Sequence, residues 1–276
     1  MSDKILITGA RGQLGRCLSD LLPDALKTDV GELDITDADA VQSYVDSNQV
    51  GTIVNCAAYT AVDRAEDDFD TAAKINIQGP RNLAQTDARL IHISTDYVFD
   101  GRGYRPYTPQ DPTNPLSVYG RTKREGELAV LEHAQTAVII RTAWLYSAYG
   151  HNFVQTMRAL GADRSEINVV ADQVGTPTFA GDLARAITDI LPRVPAGHRD
   201  IYHFTNEGVC SWYDFAVAIM AGSNLSCRVN PIPSSAYPTR ATRPFYSVLD
   251  KAKIKDTFNI SIEHWTKGLA RCLKQF

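Results

Sequence analysis

Through the first half of the chain, short apolar runs rich in β-branched residues alternate with longer stretches whose apolar positions recur every three or four residues. The runs predict strands over residues 4–8, 25–28, 52–55, 89–93 and 137–140, and the longer stretches predict helices over 13–22, 38–48, 67–86 and 117–132. Thr36 is placed as the N-cap of the second helix, with Asp39 three residues on as an approximate capping-box partner. Such alternation is the signature of repeated βαβ units, so the expected fold is α/β with a Rossmann-type, doubly wound parallel sheet.

After Arg141 the alternation loosens and turn signals thicken, at Gly175-Thr176-Pro177 and over residues 192–197 and 231–244. Helices are predicted over 152–160, 180–191, 211–220 and 262–274, with short strands over 201–204 and 228–232. The expected organisation is a nucleotide-binding domain over residues 1–145 and a smaller α/β substrate lobe over 146–276. Strand-like pieces near Ile167 and Ile201 are expected to extend the main sheet, so that the chain crosses between the lobes more than once.

Composition narrows the function classes. Hydrophobic residues make up 44% of the 276 positions and charged residues 22%, which fits a globular chain with a substantial core and excludes disorder. A formal net charge of -4 argues against a nucleic-acid partner, which would require a dense basic surface. No stretch of about 18 apolar residues appears, so no membrane partner is expected. The opening run Lys4-Ile5-Leu6-Ile7-Thr8 is too short for a signal-peptide core, and a cytoplasmic location follows as an expectation. The five cysteines, Cys17, Cys56, Cys210, Cys227 and Cys272, form no C-x-x-C pair and read as reduced packing residues.

Two motifs carry chemistry. Directly after the first strand, Gly9, Gly12 and Gly15 open the first helix, with Arg11, Gln13 and Leu14 between them. Glycines there let the backbone turn tightly and approach a pyrophosphate, whose charge meets free N–H groups at the helix start. Arg11 is a candidate for a ribose 2′-phosphate and Asp29, at the end of the second strand, for ribose hydroxyls. The signals for NADPH and NADH therefore compete, with NADPH slightly favoured. The second motif, Tyr119-Gly120-Arg121-Thr122-Lys123, puts a phenol and an ammonium four residues apart on one helix face. A tyrosine so placed can give a proton to a carbonyl oxygen as hydride reaches carbon. Ser94 and Thr95 end the fourth strand, where a ligand of an open α/β sheet sits, and sequence alone leaves open which hydroxyl faces it.

With its early glycine turn, Asn55-Cys56-Ala57-Ala58, Ser94-Thr95 and the Tyr119/Lys123 pair, the chain resembles the extended short-chain dehydrogenase/reductases. The resemblance implies Tyr119 as general acid, Lys123 as the cation that lowers its pKa and holds the nicotinamide ribose, and Thr95 as the hydroxyl that orients the carbonyl. It implies a cofactor site over Gly9, Arg11, Gly12, Gln13, Leu14, Gly15, Asp29, Asp34, Ile35, Ala57, Ala58, Tyr59 and Asn76, with Tyr119 and Lys123. Asn76 would support the lysine; its bland reading is a partly exposed helix residue.

Longer strings are similar to the dTDP-4-dehydrorhamnose reductase family: residues 94–101, 114–120, 141–146, Asn152-Phe153, 172–178, and 235–240 continuing to Arg243-Pro244. The resemblance covers essentially the whole chain. It implies NAD(P)H-dependent reduction at C4 of a dTDP-linked 4-keto-6-deoxy sugar, with substrate contacts at Ser94, Thr95, Asp96, Tyr97, Trp144, Asn152, Gln173, Arg240 and Arg243. Some members bind magnesium across a dimer interface; Gly15-Arg16-Cys17-Leu18 and Leu191-Pro192-Arg193 lack the matching carboxylates, so no metal and no metal-bridged dimer is expected, only a monomer or weak homodimer. The alternatives are a reductase or epimerase of another nucleotide-linked 4-ketohexose, and a non-catalytic dinucleotide-binding regulatory subunit.

Overall fold

The computed structural model describes residues 4–276. In the first half run β1 (Lys4–Thr8), α1 (Gln13–Leu21), β2 (Leu26–Thr28), α2 (Ala38–Asn48), β3 (Val50–Asn55), α3 (Val62–Ala65), α4 (Phe69–Ala73), α5 (Gly79–Ala84), β4 (Arg89–Thr95), α6 (Val118–His133) and β5 (Ala137–Thr142). The second half holds β6 (Leu145–Tyr146), α7 (Phe153–Asp163), β7 (Glu166–Val170), β8 (Val174–Gly175), β9 (Thr178–Phe179), α8 (Ala180–Ile190), β10 (Arg199–His203), β11 (Cys210–Ser211), α9 (Trp212–Gly222), β12 (Arg228–Ile232), α10 (Ala252–Phe258) and α11 (Trp265–Leu273). Six parallel strands pair in the order β2-β1-β3-β4-β5-β10. The order reverses between β1 and β3, the switch point of a doubly wound sheet, and ligands of such sheets bind outside the strand ends there.

Alternation along the strands decides the layering. Leu6, Ile53, Leu90 and Ile139 face a core shared with Val41 and Val45 of α2, Leu83 of α5 and Val130 of α6. Ile7, Val54, Ile91 and Val138 face the opposite core, which includes Leu14 and Leu18 of α1, Leu183 and Ile187 of α8, and Ile254 and Phe258 of α10. Both faces are therefore dry, as a parallel sheet requires. A third core, with Tyr146, Val154, Ile167, Phe179, Phe215 and Trp265, belongs to the second half. The two halves interlock, because β10 extends the main sheet beside β5 and α8 packs on α1.

Several expectations are corrected. The strand near Ile201 does join the sheet, but β7, near Ile167, pairs only with β12 in a separate two-stranded ribbon. The N-cap of α2 is Asp37, whose carboxylate accepts from Ala40 N, while the Thr36 hydroxyl donates to Asp34. A carboxylate caps more strongly than the hydroxyl before it. The helix expected over 67–86 is broken: a π-helical turn, Lys74–Gln78, separates α4 from α5. Pro80 has no N–H to close an ordinary turn onto the Asn76 carbonyl, and the chain widens by one residue there. The expected helix over 262–274 starts only at Trp265, with His264 as cap, and α10 went unpredicted.

Ile187 is fully buried between α8 and the sheet. Ile187→Ala is expected to cost about 2–5 kcal/mol in a denaturant titration, whereas the same truncation at Leu128, which is 42% exposed, changes the midpoint little.

Candidate active site

A cleft of about 750 Å³ lies along the carboxyl ends of the main-sheet strands. Gly9, Gly12, Gln13, Leu14 and Gly15 line one end, with Asn152 beside them through a loop whose Ser147 donates to Gln13, and Thr95, Asp96, Tyr97, Tyr119, Lys123 and Trp144 line the other. The turn between β1 and α1 needs its glycines. Gly9 has φ +64°, and a β-carbon on it would lie 2.7 Å from Ala57 N; one on Gly15 would lie 2.3 Å from the Gly9 carbonyl oxygen. Gly12 caps α1 with no side-chain hydrogen bond and no acidic residue follows in the first turn, so that turn offers its N–H groups to an anion. Asn55 ties the neighbouring strand ends together. Its Oδ1 accepts from Thr8 Oγ1 (2.7 Å) and Ala57 N (3.1 Å), and its Nδ2 donates to His92 Nδ1 at 3.0 Å.

Around the same end, Asp29 accepts from Arg11 N (3.1 Å) and Val30 N (3.0 Å). The exposed Arg11 guanidinium pairs with Glu32 at the rim and is not among the lining groups. Asp34 and Ile35 line the cleft with Ala57 and Ala58. Hydrogen bonds from the Thr36 hydroxyl and N–H hold the Asp34 carboxyl below the usual carboxylate range.

At the other end, β4 terminates at Thr95 and α6 begins beside it, capped by Ser117, which accepts from Gly120 N. Tyr119 and Lys123 follow one turn apart. Burial raises the Tyr119 phenol above its ordinary range, and a hydrogen bond from Thr95 opposes the rise. Lys123 is 2% exposed and donates to the Ile93 carbonyl at 2.7 Å. Burial lowers its ammonium to about 8, against the pull of Glu127 and Cys56. No hydrogen bond joins Lys123 to Tyr119 among the described residues. The two hydroxyls at the end of β4 divide: Ser94 Oγ donates to Glu127 Oε1 at 2.6 Å, whereas Thr95 Oγ1 donates to Asp96 Oδ1 at 3.0 Å and lies in the cleft near Tyr119. Asp96 is 3% exposed, its Oδ2 has no partner among the described residues, and burial pushes it up to about 7.

Asn76 sits in the π-helical turn and is buried, not partly exposed. Its Oδ1 accepts from Tyr59 N at 2.9 Å, and its Nδ2 donates to the Tyr59 carbonyl (3.2 Å) and to Thr122 Oγ1 (3.1 Å). It thus pins the segment after β3 to α6, next to Lys123. Tyr59 itself turns its hydroxyl to Asp68 and does not line the cleft.

The remaining substrate candidates fall into three groups. Tyr97 and Trp144 reach the cleft; Tyr97 packs edge-on against Tyr119 at 5.4 Å and accepts from Arg243 Nη1 at 2.9 Å. Trp144 has φ +50°, a costly conformation for a bulky side chain, and stacks on Trp212 at 3.5 Å. Arg240 and Arg243 are held by Asp67 and Asp63. Asn152 is spent as the cap of α7 and on carbonyls of the preceding loop, and Gln173 bonds Ser234 away from the cleft. Asp63, which also accepts from Ala241 N, and Trp212 were not found from sequence. Neither stands in a local pattern that announces its partner.

The model of the RmlD substrate-binding domain family matches residues 3–276. The chain belongs to this family. It is 43% identical, over 96% of its length and 97% of the relative's, to a dTDP-4-dehydrorhamnose reductase of Aggregatibacter actinomycetemcomitans. It is 45% identical to another of that name from Streptomyces griseus, over 96% of this chain and 91% of the relative. The crystal structure of a Bacillus anthracis dTDP-4-dehydrorhamnose reductase in complex with NADP superposes with a TM-score of 0.96 at 38% identity, covering both chains fully.

The Trp144–Trp212 stack predicts an exciton couplet in the far-ultraviolet circular dichroism, where the strong indole transition lies. Trp212→Phe is expected to abolish it, and a couplet surviving that change would mean the rings do not stack in solution.

Proposed function

We propose that the chain is an NAD(P)H-dependent dTDP-4-dehydrorhamnose reductase, reducing the C4 keto group of dTDP-6-deoxy-L-lyxo-4-hexulose to give dTDP-L-rhamnose. The observation that carries the reading is the convergence of Thr95, Tyr119 and Lys123 in the same cleft as an uncapped, glycine-lined helix start. Family membership supports the substrate class, since the relatives described above bear that name.

The residues present fit a dinucleotide. A β-carbon on Gly12 would meet only the Gly9 carbonyl oxygen, at 3.2 Å, so its open side leaves room for a pyrophosphate against the first turn of α1. Asp29, Asp34 and Ile35 would hold the adenosine end, with Arg11 free to exchange Glu32 for a 2′-phosphate and so favour NADPH slightly. Ala57 and Ala58 would shape the wall between the two ends, Asn76 would brace that wall from behind through the Tyr59 backbone, and Lys123 would hold the nicotinamide ribose. When bound, the reduced nicotinamide supplies the hydride.

The side chains do the rest. Tyr119 gives its phenolic proton to the carbonyl oxygen; its raised pKa keeps that proton in place until the oxygen becomes basic. Thr95 orients the carbonyl through its hydroxyl. Asp96, carrying a proton up to about pH 7, can donate to a sugar oxygen. Trp144 and Tyr97 offer apolar faces to the deoxysugar, and Arg240 and Arg243 would grip the diphosphate. We further infer a cytoplasmic monomer or weak homodimer without a metal bridge, because Arg16 and Cys17 supply no oxygen ligand on α1. Among the described residues no helix is long and apolar enough to cross a membrane.

The test is loss of reduced-nicotinamide absorbance on mixing with enzymatically generated dTDP-6-deoxy-L-lyxo-4-hexulose, with the product identified by NMR. Tyr119→Phe should lower kcat by about 10²–10⁴-fold while the dissociation constant for NADPH stays within about twofold. Unchanged turnover would remove Tyr119 from the mechanism. The wild-type kcat/KM should fall as pH rises through about 8, where Lys123 loses its proton.

A further inference from the structure

We propose that Glu127 is a positioning residue for the proton-transfer site: tied to β4 and β5, it fixes the rotation of α6 and supplies the buried counter-charge for Lys123. Its kinetic consequence rests on the reductase reading. Glu127 is fully buried, and both carboxylate oxygens are spoken for. Oε1 accepts from Ser94 Oγ at 2.6 Å and from Arg141 Nε at 2.7 Å; Oε2 accepts from Arg141 Nη2 at 2.7 Å and Arg124 Nη1 at 3.0 Å. Ser94 belongs to β4 and Arg141, itself 1% exposed, to β5. One carboxylate therefore bolts α6 to the two strands whose ends frame the cleft.

The spacing links this bolt to the chemistry. Tyr119, Lys123 and Glu127 recur every four residues, so they lie along one face of α6. Rotating α6 to release Glu127 would swing Tyr119 away from Thr95. The surroundings of Lys123 leave it one anionic neighbour. From β4 it meets the Ile93 carbonyl and His92, whose burial holds the ring neutral; beyond β3 it meets Cys56, whose thiol burial pushes up to about 12. Tyr119 is likewise neutral, which leaves Glu127 as the negative charge opposing desolvation of the ammonium. Stability alone gives little reason for such a cluster, since well-packed apolar residues do as well as buried ion pairs.

The experiment titrates Lys123 by NMR in protein carrying isotopically labelled lysine side chains, with its signal assigned by its loss in Lys123→Met. In Glu127→Gln the Lys123 titration should fall about one pH unit below the wild-type value near 8, and the basic limb of kcat/KM should move with it. If that variant does not fold, because Arg141 is left without its counter-charge, Glu127→Gln/Arg141→Gln removes both charges of the pair together and should give an acid shift of the same direction but smaller size, since the nearer anion outweighs the lost Arg141 cation. An unchanged Lys123 titration in either folded variant would overturn the proposal. Absence of turnover in the wild-type protein would count against the reductase reading, and the lysine titration, which needs no substrate, would still decide the role of Glu127.

Discussion

Parallel pairing of six strands with both faces buried is the constraint on which the rest of this protein depends. Neither face can meet water, so each strand must be followed by a helix that crosses over it, and every crossover begins at the same edge of the sheet. The turn after β1, the Ala57–Ala58 segment after β3, Thr95 at the end of β4 and Trp144 after β5 all gather at that edge for this reason. The reversal of strand order between β1 and β3 opens the gap into which a dinucleotide fits.

Beneath the cleft the sheet is not uniformly apolar. The Thr8–Asn55–His92 chain ties β1, β3 and β4 together at their carboxyl ends, and Ser94–Glu127–Arg141 ties β4, α6 and β5. Buried polar groups are costly unless every partner is supplied, and here nearly all are. The result is a rigid floor under Thr95, Tyr119 and Lys123. Over the floor lies a looser roof: Arg240 and Arg243, from the segment between β12 and α10, reach across to Asp67 and Asp63 through contacts at or near the surface, which are individually weak and readily exchanged for a ligand.

Legibility in the sequence followed the range of the interaction. Strands 4–8 and 89–93, the glycine turn and the Tyr119/Lys123 spacing are local patterns, and each could be found within about ten residues of itself. The π-helical break in the third helix was written locally too, in Pro80, but was hidden by the apolar periodicity on either side. The partner of β7 could not be found this way, because a five-residue apolar run is equally able to join the main sheet or pair with a distant segment such as β12.

The sequence by itself determined the fold class, the phosphate-binding turn and the family resemblance, because these rest on periodicity and on residue types at fixed short spacings. Only the tertiary structure separated Ser94 from Thr95, tying the first to Glu127 and the second to Asp96 in the neighbourhood of Tyr119. Only it revealed that Asn76 pins Tyr59, that Asn152 is consumed as a cap, and that Trp144 leans on Trp212. Each of these is a contest between partners that packing brings together from distant parts of the chain. Its outcome depends on distances that no one-dimensional pattern encodes.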